Sequence, residues 1–306
     1  MTPMQAKSVV NTYPVTLQNL SQSQRERLAY IEFRLYFLGD ARRQDLIQRF
    51  GVAPAVATRD FAQYKEIYPN NISFEGKSKS YVIGNDFVPA FDQVPERVIT
   101  ALTQGFGDGV NPLGGVLLTC ELPVALNRPS MAILAPVTRA IHQTKAIRLR
   151  YQSHSSGMSE REIVPFALVN DGLRWHARAF DRKNQDFRDF VITRMEATSV
   201  IEDSMPEKHE LQSADIQWNR IVELELVPHP NQERPKIIES DYGMVDGVLH
   251  VKVRAATVGY FLLQWIVDCS PKHSLKGHEY RLWLRNHLAL YGVSNAFMAP
   301  GYENPH

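Results

Sequence analysis

The chain is poor in cysteine, with Cys120 and Cys269 alone among 306 residues and no second thiol near either at metal spacing. That excludes a disulfide scaffold and a cysteine-ligated zinc site, and it points to a reducing compartment. Long apolar runs are missing as well. No stretch approaches the roughly 18 uninterrupted apolar residues of a membrane span, and MTPMQAKSVVNTYPVTLQNL at the amino terminus lacks the apolar core of a secretion signal. A cytoplasmic protein with no membrane partner is expected. Net charge is nearly absent, with 34 Lys and Arg against 33 Asp and Glu, so affinity for a polyanion has to come from a local segment. Neither HExxH, CxxC nor GxSxG occurs, and His273 and His278 have no partner at ligand spacing. Gly105-Phe-Gly107-Asp-Gly109 lacks the preceding strand and following helix of a nucleotide fingerprint. No catalytic residue, metal ligand or cofactor is assigned, and an enzyme is not expected.

What is present is an ordinary globular composition, 44% hydrophobic and 22% charged, in a chain long enough for two or three domains. Charge is uneven along it. Residues 1–85 hold eleven Lys and Arg against seven Asp and Glu. In this basic quarter Leu28, Ile31, Leu35 and Leu38 recur at helical spacing from Ser21 to Leu38, and Gly39 stops the helix. A second helix is predicted over Ala41 to Phe50, with Leu46, Ile47 and Phe50 inward and Arg42, Arg43 and Gln44 exposed, and Gly51 ends it. A third opens at Ala53 with Pro54 in its first turn and runs to Tyr68 before Pro69. Its apolar stripe is Ala57, Phe61, Tyr64 and Tyr68. The opposite face carries Ala55, Thr58, Arg59, Ala62, Gln63 and Glu66.

Two short helices at this spacing, the second with a flat polar face, match the helix-turn-helix plan. The segments around Gly76-Lys-Ser-Lys79 then predict a hairpin whose tip holds Lys77, Ser78 and Lys79, the wing of a winged helix. Candidate DNA contacts are Arg42, Arg43, Gln44, Pro54, Thr58, Arg59, Gln63, Lys77, Ser78 and Lys79. The competing reading is a structural or protein-interaction module whose arginines are solvated surface charges.

Between residues 86 and 130 turn residues surround one helix, Pro95 to Gln104, and include the glycine cluster from Gly105 to Gly115. A helix over about Val137 to Thr144 leads into β-rich texture. Strands are predicted over Ile147 to Tyr151, Arg161 to Val169, Leu173 to Phe180 and Phe187 to Met195, and a small barrel or strongly bent sheet is the economical fold. In the third, Arg174, His176 and Arg178 share one face; in the fourth, Arg188, Phe190, Ile192 and Arg194 do. Residues 145–194 carry ten Lys and Arg against six acids, which suggests a second basic site. The competing reading pairs Arg174, Arg178 and Arg188 with Asp181, Asp186 or Asp189 across a hairpin. Farther on, Ile221 to Val227 and Val248 to Val253 read as strands, and Asn231 to Asp241 and Val258 to Val267 as helices. Leu262, Leu263, Trp265 and Ile266 are assigned to the core.

Arg150-Tyr151, Arg161-Glu-Ile-Val-Pro165, Gly172-Leu-Arg-Trp175-His176-Ala177-Arg178 and Arg188-Asp-Phe190-Val-Ile-Thr-Arg194 together resemble a WYL domain. Trp175-His176-Ala177 stands where the name-giving tripeptide would be, keeping its Trp. With Asp45-Leu to Phe50-Gly-Val and Arg59-Asp60 to Tyr64 to Pro69, the whole chain resembles the WYL regulators of BrxR and CapW type found in bacterial anti-phage defence islands.

The resemblance implies an α+β multidomain protein. Residues 1–85 would form a winged helix-turn-helix, 86–130 a helical linker or dimerisation region, 131–205 a WYL domain of Sm-like, SH3-like β-barrel fold, and 206–306 a small α+β domain of WCX type. It implies a homodimeric transcriptional regulator, read as a repressor of a defence operon of BREX or CBASS type, that binds an inverted repeat in double-stranded DNA. The effector would be a nucleotide or single-stranded nucleic acid in the WYL domain, held by Tyr151, Ser153, His176, Arg178, Arg188, Phe190 and Arg194. Guanidinium groups bind phosphate in pairs of hydrogen bonds, and aromatic rings stack on bases. The alternative from another class is a nucleic-acid-sensing adaptor, whose WYL domain binds single strands and whose winged helix contacts protein.

Overall fold

A computed structural model describes residue 17 and residues 20–106 and 117–304 of the chain. The glycine cluster from Gly107 to Gly115 lies outside the described residues. The chain divides into two compact units, residues 1–123 and 124–306.

The first unit opens with α1 (Gln22–Leu38). Ser21 and Gln24 form a reciprocal capping box, and Gly39 closes the helix in the left-handed conformation at φ 82°. Next come β1 (Asp40–Ala41), α2 (Arg43–Phe50) and α3 (Pro54–Ile67), then the hairpin β2 (Ile72–Glu75) and β3 (Ser80–Ile83). The second helix starts two residues later than its periodicity predicts. Asp40 and Ala41 pair with Val82 and Tyr81 of the wing, so their backbone is extended, and Ala41 is buried under that pairing. The three strands form one sheet in the order β1-β3-β2. Leu28, Ile31, Leu35, Leu46, Ala57, Phe61, Tyr64 and Ile72 make the core. The segment read as a connecting region contributes to this unit. Phe87, Ala90, Phe91 and Phe106 pack on the same core, and α4 (Pro95–Gln104) lays Val98 and Ala101 against Phe33.

The second unit begins with α5 (Met131–Gln143), longer at its start than predicted because the helix continues through Pro136 instead of starting after it. Five antiparallel strands follow: β4 (Ala146–Ser153), β5 (Gly157–Asn170), β6 (Trp175–Asp181), β7 (Asp186–Val191) and β8 (Met195–Ile201). Their order is β7-β6-β5-β4-β8. The predicted fourth strand is cut short. Ile192–Arg194 form a 3-10 turn, and the chain then continues as β8 along the far side of β4. One three-residue turn thus joins the two outermost strands, which requires the sheet to coil strongly, and shifts of register at 148–150 and 165–167 supply the bends. Val137 and Ala140 of α5 cover a core of Ile147, Leu149, Tyr151, Ile163, Ala177, Ala179, Phe190 and Ile192.

The carboxy-terminal part holds α6 (Ile216–Asn219), β9 (Ile221–Pro228), α7 (Pro235–Asp241), β10 (Leu249–Arg254), α8 (Ala255–Gln264) and β11 (Leu282–Leu284). Its sheet runs β10-β9-β11. Gly259 lets α8 approach the 295 loop, since a Cβ there would sit 2.1 Å from the Asn295 carbonyl oxygen. Only part of the predicted apolar cluster is core. Leu262 is fully buried, whereas Leu263, Trp265 and Ile266 are 46%, 48% and 40% exposed. The inward stripe of α8 is Ala255, Val258, Gly259 and Leu262; Leu263 falls on the other side, and the helix ends before Trp265 and Ile266 can return to it. Among the described residues no helix is long and apolar enough to cross a membrane.

Candidate nucleic-acid interface

The outward face of α3 is presented by two buried polar locks on its inward face. Arg27 of α1 donates from Nε and Nη2 to Asp60 at 2.6 and 3.2 Å. One turn on, the Tyr64 hydroxyl donates to the Glu32 carboxylate at 2.9 Å and accepts from Asn71 at 3.3 Å. The same carboxylate accepts from the Ala90 and Phe91 amides, both at 2.9 Å. Burial pushes the Glu32 carboxyl above its ordinary range despite these donors, and burial together with Glu32 pushes the Tyr64 hydroxyl up too. These charges read locally as surface residues because their partners lie 32 or more positions away. One signal could have found them: Glu32 follows Leu28 by four and Asp60 follows Ala57 by three, so each falls inside an apolar stripe.

The α2–α3 turn is tight. Gly51, at φ 63°, donates to the Ile47 carbonyl, and Pro54 occupies the first turn of α3. Asp45 caps the start of α2 by accepting from the Arg42 amide at 2.6 Å. Arg42, Arg43, Gln44, Pro54, Thr58 and Arg59 are exposed and Gln63 is half-buried, so every predicted helix contact reaches the surface. Thr58 donates to the Pro54 carbonyl at 3.0 Å and accepts from Arg43 at 3.4 Å, which joins the two helices on the presented face. Arg42 lies 3.6 Å from Asp40. The wing is tied to α3 by Phe61 and Tyr81, stacked 4.2 Å apart. At its tip Lys77, Ser78 and Lys79 are exposed, with Ser78 bonded to Glu75 and Ser80. The described surface of this unit thus carries exposed cations at the start of α2 and at the wing tip together with a short polar face on α3.

The structure separates the seven predicted effector contacts of the WYL sheet. Tyr151 and Phe190 are 8% and 4% exposed, their rings packed edge to face in the core, and the Tyr151 hydroxyl accepts from the Val191 amide. His176 and Arg178 share a face, as the alternation predicts, and the carboxy-terminal part covers it. Arg178 donates to Asp215 at 2.8 and 3.2 Å and to Asp189 at 3.3 Å, and Tyr260 donates to Asp189 at 2.9 Å. Burial pulls the Arg178 pKa down, and the two carboxylates outweigh it and hold the group above its ordinary value. His176 bonds Asp171 at 2.9 Å and packs against the Tyr260 ring. The accessible members are Ser153, bonded to Ser155, Arg188, 3.8 Å from Asp186, and Arg194, 2.8 Å from His154. Of the ion pairs expected across a hairpin, Arg178 with Asp189 is formed; Arg188 lies near Asp186 of its own strand, and Arg174 pairs with Asp171. Among the described residues no group of His, Cys, Asp and Glu could hold a metal ion.

A winged helix followed by a coiled five-stranded sheet and a small α+β unit is the layout of a WYL-domain regulator. Family models agree over three consecutive stretches: the BrxR transcriptional regulator winged helix-turn-helix domain over residues 23–99, the WYL domain over 132–200, and the BrxR transcriptional regulator C-terminal dimerization domain over 221–290. The chain is 31% identical over 256 residues to the DNA-binding transcriptional repressor CapW of Pseudomonas aeruginosa, covering 81% of this chain and 84% of that one. It is 28% identical over 286 residues to CapW of Escherichia coli strain KTE188, covering 90% and 93%. The CapW of Stenotrophomonas maltophilia is 31% identical over 256 residues, covering 78% and 82%. The protein belongs to the CapW and BrxR family of WYL-domain transcriptional regulators.

Proposed function

We propose that this protein is a homodimeric, DNA-binding transcriptional repressor that reads an inverted repeat through two winged helices. The observation that carries this reading is the exposed α3 face with Thr58, Arg59 and Gln63, rimmed by Arg42, Arg43, Lys77 and Lys79. Its relatives named as DNA-binding transcriptional repressors support the sign of regulation. Self-association is supported by the match to a dimerization domain, within which Leu263, Trp265 and Ile266 stay exposed. The regulated genes are those of an anti-phage defence operon, of BREX or CBASS type. A nucleotide or short single strand acts as effector on the WYL sheet, with Arg188, Arg194 and Ser153 as its accessible contacts. It shifts the population only as far as it prefers one state over the other.

A footprint on the DNA upstream of the protein's own gene tests the reading. A symmetric protected repeat is expected, lost in the Thr58/Arg59/Gln63 triple-alanine variant. Arg59→Ala alone should cost about 1–3 kcal/mol at its base pair if the contact is bidentate. No protected repeat, with single strands bound instead, would move the function to an adaptor.

A further inference from the structure

The positive charge of the WYL sheet is largely spoken for. Every arginine on β4 to β7, namely Arg148, Arg150, Arg161, Arg178 and Arg188, has a carboxylate within 4.0 Å. Free cations gather elsewhere, in the carboxy-terminal part. There the 231–234 loop and the first turn of α7 face the 276–281 loop across a cleft of about 910 Å³. Arg234 stands on one wall, and Lys276, His278 and Arg281 on the other. Among the described residues none of the three cations Arg234, Lys276 and Arg281 makes an ion pair, and His278 lines the same wall as the last two.

The walls are fixed rather than loose. Gln232 donates to the Tyr280 carbonyl at 2.9 Å, and the His229 amide donates to the Arg281 carbonyl at 2.8 Å. His229 is itself buried, bonded to Asp268 at 3.0 Å. Cations held on opposite walls by such bracing repel one another, and an anion between them offsets that repulsion. The lining is not purely cationic. Ile238 is buried beneath it, Ile237 is half-exposed, Glu233 adds one carboxylate, and Glu279 lies close over Gly277. A carboxylate opposes a bare inorganic anion yet accepts readily from a sugar hydroxyl, while the isoleucines offer a surface to a base or sugar. The volume lies in the range of small-ligand sites, and arginine forks match phosphate oxygens.

We propose that this cleft is a binding site for a nucleotide, either free or as the end of a single strand, with Arg234, Lys276 and Arg281 on its phosphates. It is separate from the effector contacts assigned to the WYL sheet and stands whether or not those are right.

The test is calorimetric titration of the full-length protein, at low salt, with adenosine diphosphate, with pyrophosphate and with a four-residue oligothymidylate. Wild type is compared with Arg188→Ala/Arg194→Ala, which removes the effector contacts assigned to the WYL sheet, and with that double variant carrying the triple substitution Arg234→Gln/Lys276→Gln/Arg281→Gln as well. All three cleft cations are exposed, so the triple substitution should leave the fold intact, and an unchanged melting temperature checks that. Adenosine diphosphate or the oligonucleotide, whichever binds more tightly, identifies the source. In the double-variant background its affinity should fall at least tenfold when the triple substitution is added, with pyrophosphate weaker. The proposal is overturned if the double variant binds neither nucleotide probe, if pyrophosphate binds as tightly as both, or if adding the triple substitution leaves the affinity unchanged. Binding lost between wild type and the double variant reports on the WYL sheet, and binding lost on adding the triple substitution reports on this cleft, so failure of one site and failure of the other give different results.

Discussion

Glu32 offers the sharpest perturbation of the winged helix, because one carboxylate holds three elements together: α1, the Tyr64 hydroxyl of α3, and the backbone at Ala90 and Phe91 beyond the wing. Glu32→Ala removes three hydrogen bonds of 2.9 Å and strands the Tyr64 hydroxyl proton in the core. Buried donors that lose their acceptor cost about 1–3 kcal/mol each, offset in part because the buried charge also disappears, so a loss of about 2–5 kcal/mol is expected. Glu32→Gln keeps an oxygen for the two amides and turns an N–H toward the Tyr64 oxygen, so that only the hydroxyl proton loses its acceptor while the buried charge disappears too. It should stay within about 1 kcal/mol of wild type at neutral pH.

The pH dependence separates this from a generic core effect. Burial raises the Glu32 pKa in the folded state above its ordinary 4.5, so the native winged helix holds the proton more tightly than the unfolded chain does. Stability from this group is therefore complete below the ordinary value and is lost as pH rises through the raised native one. Glutamine carries no such penalty. The advantage of Glu32→Gln over wild type should grow as pH rises above 4.5 and then level off, at no more than about 1.4 kcal/mol per pH unit. Hydrogen exchange of the α1 and α3 amides in the full chain reads the local opening free energy directly. The reasoning is refuted if alanine and glutamine protect equally, or if the glutamine advantage shrinks with rising pH.

Asp60→Ala should be worse than any exposed change in this unit, because it leaves the Arg27 guanidinium buried without its carboxylate; about 3–5 kcal/mol is expected in thermal unfolding of the winged helix. Arg178→Ala strands Asp215 and Asp189 between the WYL sheet and α8, and a similar loss of about 3–5 kcal/mol should appear in exchange of β6 and α8 amides, with α3 unaffected. Lys77→Ala and Lys79→Ala should weaken operator and random duplexes alike. Each should flatten the plot of log affinity against log salt by about 0.9 if it neutralises one phosphate.

Much of the winged helix was legible because its punctuation is local. Gly39 and Gly51 close their helices in left-handed conformations, Pro54 opens the next, and the exposed faces of α2 and α3 follow from their spacing. What escaped depends on partners far along the chain. Ala41 reads as helical until Tyr81, 40 residues on, draws it into a sheet. The end of β7 carries no Gly or Pro, so nothing local marks the turn at Ile192–Arg194, and β8 goes unseen. Alternation placed His176 and Arg178 on one face correctly. It could not show that Asp215 and Tyr260, from a later part of the chain, cover that face. The same limit explains Leu263, Trp265 and Ile266, whose apolar character says core while the geometry of α8 turns them outward.

In the proposed repressor the outward face of α3 reads sequence while the exposed cations of α2 and the wing supply affinity. The most direct measurement is the ratio of affinities for the protected operator and a scrambled duplex of equal length. It is taken for wild type and for the Thr58/Arg59/Gln63 triple-alanine variant across a range of salt. If α3 is the reader, the variant's ratio collapses toward one while its affinity for the scrambled duplex and the salt slope change little, since the phosphate contacts survive. A variant that keeps its preference for the operator, or that loses both duplexes equally, would contradict the assignment of α3 as the recognition helix.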